Sequence, residues 1–396
     1  MRRRTFLTTT GGLIAAATIQ SLLQPRARAA TFTRIQAWAP NPSGSPVLVL
    51  EWRYIAGRIT DKTGNTAEDY GFIVSISDQR AILGISAKQE LLVQRQDFDG
   101  STPFSESYAG NFTYASGTGA YTFQATSSPV SAIFQLDPNT QLYHLTLNSP
   151  QLNLPDVVLR PKGNLIAETG DGLLSAGQVQ GIQVDSDYYA DWTEVEIGGQ
   201  VKGVARVDMQ GLRPVIQAAG APAQIGNDYD HHWFALAGTL DTGPVWISAW
   251  RIETTSGPLW DVTIAKGTTT TDPPWTTTFK TEADAMAEPL TVDELAWQPI
   301  PGFTGSVEPN ATGTSWHLSA GTTQPGDLLD LTITVPPGQF AKSARIGGNG
   351  TTGFLEEAVG ISASGTVEGQ QLSGVRLVVA ETTAEFALAH LPLLLR

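Results

Sequence analysis

Cysteine is missing from all 396 residues. That excludes disulfides, thiolate metal sites and a cysteine nucleophile. Histidine is scarce, at five, and His144, His317 and His390 stand at no spacing that would complete a metal site with the adjacent pair His231-His232. Neighbouring residues on a strand point to opposite faces, and a zinc site needs three protein ligands. Basic residues are in deficit, 24 Lys and Arg against 38 Asp and Glu, for a net charge of −14. A chain this acidic lacks the basic patches that nucleic acid or an anionic membrane surface requires. Several signatures are also absent. "GISASG" (Gly360–Gly365) misses the Gly-x-Ser-x-Gly elbow by one residue, and "DSDYYAD" lacks the central glycine and final glutamate of a calcium loop. No glycine-rich phosphate loop opens a helix.

What is present is a 41% hydrophobic composition with 40 Gly and 24 Pro. That is enough to bury a core and to interrupt it with many turns. Period-two patterns dominate: "SPVLVLEWRYIAGRI", "YGFIVSIS", "GAYTFQATS", "SAIFQLD", "WTEVEIGGQVKGVARVDM" and "HHWFALAGTLDTGPVWISAWRI" read as strands joined by Gly/Asn/Asp/Pro turns. Thr281–Leu295, broken by Pro289, is the main helical candidate. Many short strands predict an all-β barrel or sandwich class, and the length favours two such units.

The N-terminus reads as an export signal. Arg3-Arg4-Thr5-Phe6-Leu7 fits the twin-arginine pattern, an apolar run follows from Gly11 to Leu23, and Ala27-Arg28-Ala29 is a small-x-small cleavage sequence. The apolar run is short for a membrane span, and no later segment is apolar enough to make one. The expected division is therefore an export signal over 1–29, an N-terminal unit over 30–238 and a C-terminal unit over 239–396, with the mature protein periplasmic or secreted.

Three blocks carry a family resemblance. "EWRYIAGRITDKTGNTAEDYGFIVSIS" (Glu51–Ser77), "DYYADWTEVEIGGQVKGVARVD" (Asp187–Asp208) and "DHHW" (Asp230–Trp233) resemble, in order, the opening Glu-Trp-Trp-Tyr pattern, the Tyr-Tyr-Ser segment and the Asp-His-x-Trp signature of the lipocalin-like carotenoid 1,2-hydratase (hydroxyneurosporene synthase) family. The chain departs from that pattern with Arg53 for the second tryptophan and Ala190 for the serine. In place of the family's later Tyr-x-Asp pair it offers Trp250 and Glu253, or Trp260-Asp261. The resemblance implies two consecutive lipocalin-like antiparallel β-barrel domains. It also implies a greasy cavity for an isoprenoid or polyene chain, hydrated or cyclised without organic cofactor or metal.

Within that frame His231, Trp233, Asp230 and Glu253 are the candidate catalytic residues. Glu51, Trp52, Tyr54, Tyr188, Tyr189, Trp246 and Trp250 are the candidate substrate-binding residues, with Glu51 an alternative to Glu253 as the acid. Protonating a C=C bond needs a carboxylic acid kept neutral by an apolar pocket. The resulting cation is stabilised by aromatic faces, and a histidine can take the proton of the attacking water. By strand parity Tyr229, His231 and Trp233 share one face, as do Trp246, Ser248 and Trp250. The alternative reading is a non-catalytic carrier of a lipophilic small molecule.

Overall fold

The computed structural model describes residues 33–40, 50–61, 68–79, 88–98, 104–162, 165–167, 173–179, 182–214, 231–252, 259–266, 304–310, 313–320, 329–335, 341–344, 354–359 and 362–383. The export signal and the Thr281–Leu295 helical candidate lie outside them. Among the described residues, apart from one five-residue helix, α1 (Arg34–Trp38), the regular structure is all β, as expected.

The first eight strands are β1 (Leu50–Asp61), β2 (Glu68–Gln79), β3 (Lys88–Asp97), β4 (Phe104–Ala115), β5 (Ala120–Ala125), β6 (Ser131–Leu136), β7 (Tyr143–Asn148) and β8 (Leu154–Pro161). They form an antiparallel meander in chain order. After the short β9 (Ile166–Ala167) and β10 (Leu173–Val179) come the long β11 (Ile182–Ile197) and β12 (Gln200–Pro214). β12 pairs with β1, and β11 pairs with both β12 and β8, which closes a ten-strand barrel. Closure leaves no free edge along the ring.

Strand alternation fills the lumen. Ile55 and Ile59 of β1, Phe72 and Val74 of β2, and Ala205, Val207 and Met209 of β12 turn inward, into one buried cluster. α1 joins that cluster through Ala37 and Trp38. Thr33 and Gln36 form a capping box at its start. Trp38 Nε1 donates to Gly119 O at 2.7 Å, and the indole packs edge-on against Tyr121 and Tyr143.

Two charged pairs hold this plug. Arg34 grips Asp191 with Nε and Nη2 at 2.6 and 2.9 Å, and Tyr143 donates to the same carboxylate. Arg53 donates to Trp38 O at 2.9 Å, Ala39 O at 2.7 Å and Glu51 Oε1 at 2.7 Å. The arginine that replaces the resembled family's tryptophan thus satisfies the last carbonyls of α1, where a cation is also favoured. Burial drives the Tyr121 and Tyr143 hydroxyls above their ordinary pKa of 10.0.

The second unit contains two antiparallel sheets around a separate core. The strands β13 (His231–Leu240), β14 (Gly243–Ile252) and β15 (Leu259–Lys266) are followed by β16 (Thr304–Asn310), β17 (Gly313–Ala320), β18 (Leu329–Val335) and β19 (Ala341–Ala344). The last four are β20 (Phe354–Val359), β21 (Ser362–Val367), β22 (Gln370–Gln371) and β23 (Ser373–Thr383). One sheet runs β15-β14-β13-β23-β20-β19 and the other β16-β17-β18-β21-β22. Phe234, Leu236, Ile247 and Val378 of the first meet Leu318, Leu331 and Val367 of the second. Among the described strands β13 pairs with β14 and β23, both of this unit, so the change of partners falls between Pro214 and His231. A division between 238 and 239 would run through the β13–β14 hairpin.

Breaking the Arg34–Asp191 pair leaves a buried carboxylate unpaired, a cost of about 3–5 kcal/mol. In urea unfolding, Arg34→Ala should lose stability on that order. Arg160→Ala, which breaks an exposed pair with Glu196, should lose less than about 1 kcal/mol. The raised phenols give the pH arm. Their contribution is intact below the ordinary pKa of 10.0 and declines as pH rises past it. Stability should therefore fall above that pH, with the buried phenols ionising only as the chain unfolds.

Candidate functional site in the seam between the two units

The strands that close the barrel are buried on both sides. Odd residues of β11 (Tyr189, Asp191, Thr193, Val195) are inward, and even residues (Tyr188, Ala190, Trp192, Glu194) are buried on the outer side. Tyr54 and Ala56 of β1 share that outer side. Against it lies the six-stranded sheet of the second unit, through Trp233, Ala235 and Ala237 of β13, Trp246 and Trp250 of β14, and Leu377 and Val379 of β23. Small residues let the sheets approach. A Cβ built on Gly71 would stand 2.5 Å from Val359 Cβ. Gln96 of β3 reaches across to accept from Val359 N at 3.0 Å.

The expected pairing of faces holds in β13 and β14. Trp233 lies opposite Trp250, Ala235 opposite Ser248 and Ala237 opposite Trp246. Trp233 Nε1 donates to Ser248 Oγ at 3.0 Å. The Trp233 ring meets Tyr54 edge-on at 5.9 Å and tilts on Trp250 at 5.6 Å, and Tyr188 meets Trp250 edge-on at 5.5 Å. Trp192 lies parallel to Trp246 at 6.4 Å.

Of the candidate residues, Tyr54, Tyr188, Trp233, Trp246 and Trp250 come together, with Trp52 packed at the margin. Two do not join them. Glu51 and Tyr189 sit at odd positions and turn into the barrel, Glu51 against Arg53 and Tyr189 in the lumen core. Glu51 is thereby removed from the aromatic site, and its carboxylate is engaged by a guanidinium. Asp230 and Glu253 lie outside the described residues, as does the side chain of His231. The backbone of His231 pairs with Ile252. These aromatics line the seam, outside both cores, so a pocket inside a barrel is not where they gather.

Sequence patterning did not reveal the charged group beneath the rings. Arg206 Nε donates to Asp208 Oδ1 at 2.6 Å and Arg206 Nη2 to Tyr188 Oη at 3.1 Å, while Tyr188 Oη donates to Asp208 Oδ2 at 2.8 Å. The guanidinium lies 5.8, 5.6 and 5.2 Å from the ring centres of Tyr188, Trp192 and Trp233. Arg206 and Asp208 are 1% and 2% exposed. A signal exists in the chain. Val204, Arg206, Asp208 and Gln210 alternate with Ala205, Val207 and Met209, but a polar face of a strand reads as a wet one. Chemically, the site offers aromatic faces already arranged around a positive charge, and a phenol fixed between a cation and a carboxylate. Among the described residues no three His, Asp or Glu side chains converge as a metal site would require.

A closed antiparallel barrel followed by a two-sheet β unit, with an aromatic seam between them, defines a two-unit barrel fold. Solved structures with a similar backbone fold include the following. A candidate AttH of Nitrosomonas europaea aligns over 90% of this chain and 97% of its own, with a TM-score of 0.51 and 13% identity. Kievitone hydratase of Nectria haematococca aligns over 90% and 94%, with a TM-score of 0.53 and 11% identity. At these identities the likeness is one of fold. No protein-family model matches the chain, and no curated protein matches it in sequence.

Removing Arg206 would strand Asp208 in the seam. Arg206→Met should cost about 3–5 kcal/mol in denaturant unfolding. Trp233→Phe, which strands Ser248 Oγ but keeps an aromatic ring, should cost about 1–3 kcal/mol. Combining the two should give a non-additive loss, because the guanidinium and the indole are in contact.

Proposed function

We propose that this chain is an exported hydratase or cyclase of the lipocalin-like carotenoid 1,2-hydratase kind. In this reading it takes an apolar isoprenoid or polyene substrate at the seam between its two β units and needs no organic cofactor or metal. One observation carries it. The three sequence blocks of the family resemblance, which are far apart in the chain, each send an aromatic residue to the same seam: Tyr54, Tyr188 and Trp233. Core packing within either unit would not require that convergence. The fold shared with kievitone hydratase supports the reading, and so does the export signal in the sequence.

The chemistry assigns one role to each group. A neutral carboxylic acid protonates one carbon of a C=C bond, and the positive charge forms on the more substituted neighbour. Indole and phenol faces stabilise that charge, each by about 2 kcal/mol when desolvated. Water adds to the cation and gives up its proton to His231, so the net change is addition of one water. In the cyclisation variant a second C=C bond attacks the cation in place of the water, and the new cation loses a proton to His231, so the ring forms with no change of mass. Asp208 is engaged by Arg206, and the sequence candidates for the acid are Glu253 and Asp230, with Asp261 the later option. In the chain Glu253 and Asp230 adjoin Ile252 and His231, which are strand partners.

The test is to incubate the purified protein with acyclic carotenoids and prenylated phenols. Products should appear with a mass gain of one water, or with unchanged mass and new retention for ring closure. His231→Ala and Glu253→Gln should each lower the rate about 100-fold or more without loss of substrate binding. Binding by wild type and both variants with no product from any of them would leave a carrier and end the enzyme reading.

A further inference from the structure

The aromatic seam carries a carboxylate that neither motif nor resemblance singles out. β23 alternates like the barrel wall it faces. Leu377 and Val379 belong to the seam cluster, and Val378 and Ala380 to the core of the second unit. Glu381, the next odd position, therefore turns to the seam, where it is half-buried. In the β13–β23 ladder Glu381 stands directly opposite Trp233, and Trp233 in turn stands opposite Trp250. Side chains paired in this way share a face, with Cβ atoms about 5 Å apart. Backbone pairing thus sets a carboxylate, an indole and a second indole in one row across adjacent strands.

The charges already in the seam oppose a cationic intermediate. The Arg206 guanidinium lies 5.2 Å from the centre of the Trp233 ring. Asp208 offsets its charge, so the pair supplies no net negative charge. A second cation at the same ring is repelled by the first, more strongly out of water than in it. The indole faces attract a cation through their quadrupole alone. A carboxylate beside the ring tips that balance. Asp208 and Glu194 are 2% and 5% exposed and are bound to Arg206 and Lys162. Glu381 is more exposed than either, so part of it stays accessible.

We propose that Glu381 is the counter-ion of the seam, a carboxylate that stabilises the positive charge forming on a substrate carbon against Trp233. This rests on the reading of the seam as the site of C=C protonation, and adds to it a group that neither gives nor takes the proton. The substrate is apolar and the intermediate is cationic, so the carboxylate acts on the barrier and hardly on substrate binding. The same charge defines a ligand class. A prenyl chain ending in a tertiary ammonium places a positive charge where the intermediate has one, and binds better than its neutral isostere.

The probes are N,N-dimethylgeranylamine, protonated at neutral pH, and the hydrocarbon with carbon in place of its nitrogen. Each is titrated into the full-length protein with tryptophan fluorescence as readout. The amine should bind about tenfold or more tightly than the hydrocarbon, the low end of what a close charge pair gives. Glu381→Gln should bring the two affinities together and leave that of the hydrocarbon unchanged. Glu381→Asp, which keeps the charge, should keep most of the preference. On any substrate that the wild type converts, Glu381→Gln should lower kcat about 100-fold and leave KM within about twofold. Equal wild-type affinities, a preference that survives Glu381→Gln, loss of both probes in that variant, or an unchanged kcat would each overturn the counter-ion and leave the seam reading standing. Failure of the wild type to bind either probe would remove the seam reading as well.

Discussion

The wall formed by β11, β12 and β1 is buried on both faces, and the rest of the molecule is arranged around that constraint. Where both faces are covered, odd positions face the lumen and even positions face the second unit, so a charge there cannot rely on water. Taking one charge from water costs several kcal/mol, and only a partner in good geometry offsets it. The wall obeys this rule on each side. Glu51 with Arg53 and Asp191 with Arg34 lie inside; Arg206 with Asp208 and Glu194 with Lys162 lie in the seam. Such pairs give little net stability, yet none tolerates loss of one member. They therefore fix register more firmly than apolar contacts would.

The same constraint separates two jobs. The lumen is closed by its own side chains and by Trp38 of α1, held by hydrogen bonds from Arg53 and to Gly119. That side is committed to structure. The seam is made from two preformed sheets, and its rings project from strands rather than loops, so their geometry is set by backbone pairing.

Much of this is legible in the amino-acid sequence, for a clear reason. Alternation is a one-dimensional signal, and by itself it assigns Trp246, Ser248 and Trp250 to a common face. Alternation also shows that Glu51 and Tyr189 lie on different faces from Tyr54 and Tyr188, but not which face meets the second unit. That is decided by packing between residues far apart in the chain, so the sequence alone groups those two with a site they do not reach. Arg206 and Asp208 stay hidden because a charged alternating strand looks the same in water as against a partner. α1 escapes notice although Thr33-Arg34-Ile35-Gln36 spells its capping box. Five residues leave no apolar period to detect, and tertiary bonds rather than helix propensity hold it.

A fold shared at 11–13% identity constrains backbone and pairing, and leaves chemistry to the side chains that face the seam. In this chain those side chains are unusual for an interface that only has to stick. Two packed sheets are most simply joined by aliphatic residues, which need no partners and bring no desolvation cost. Here four indoles, two phenols and two ion pairs occupy that place. Tryptophans in such numbers bury area at the cost of N–H groups that must each find an acceptor. The Trp192 N–H has none. At Trp192 the burial of a large ring outweighs the unmet donor, which costs about 1–3 kcal/mol.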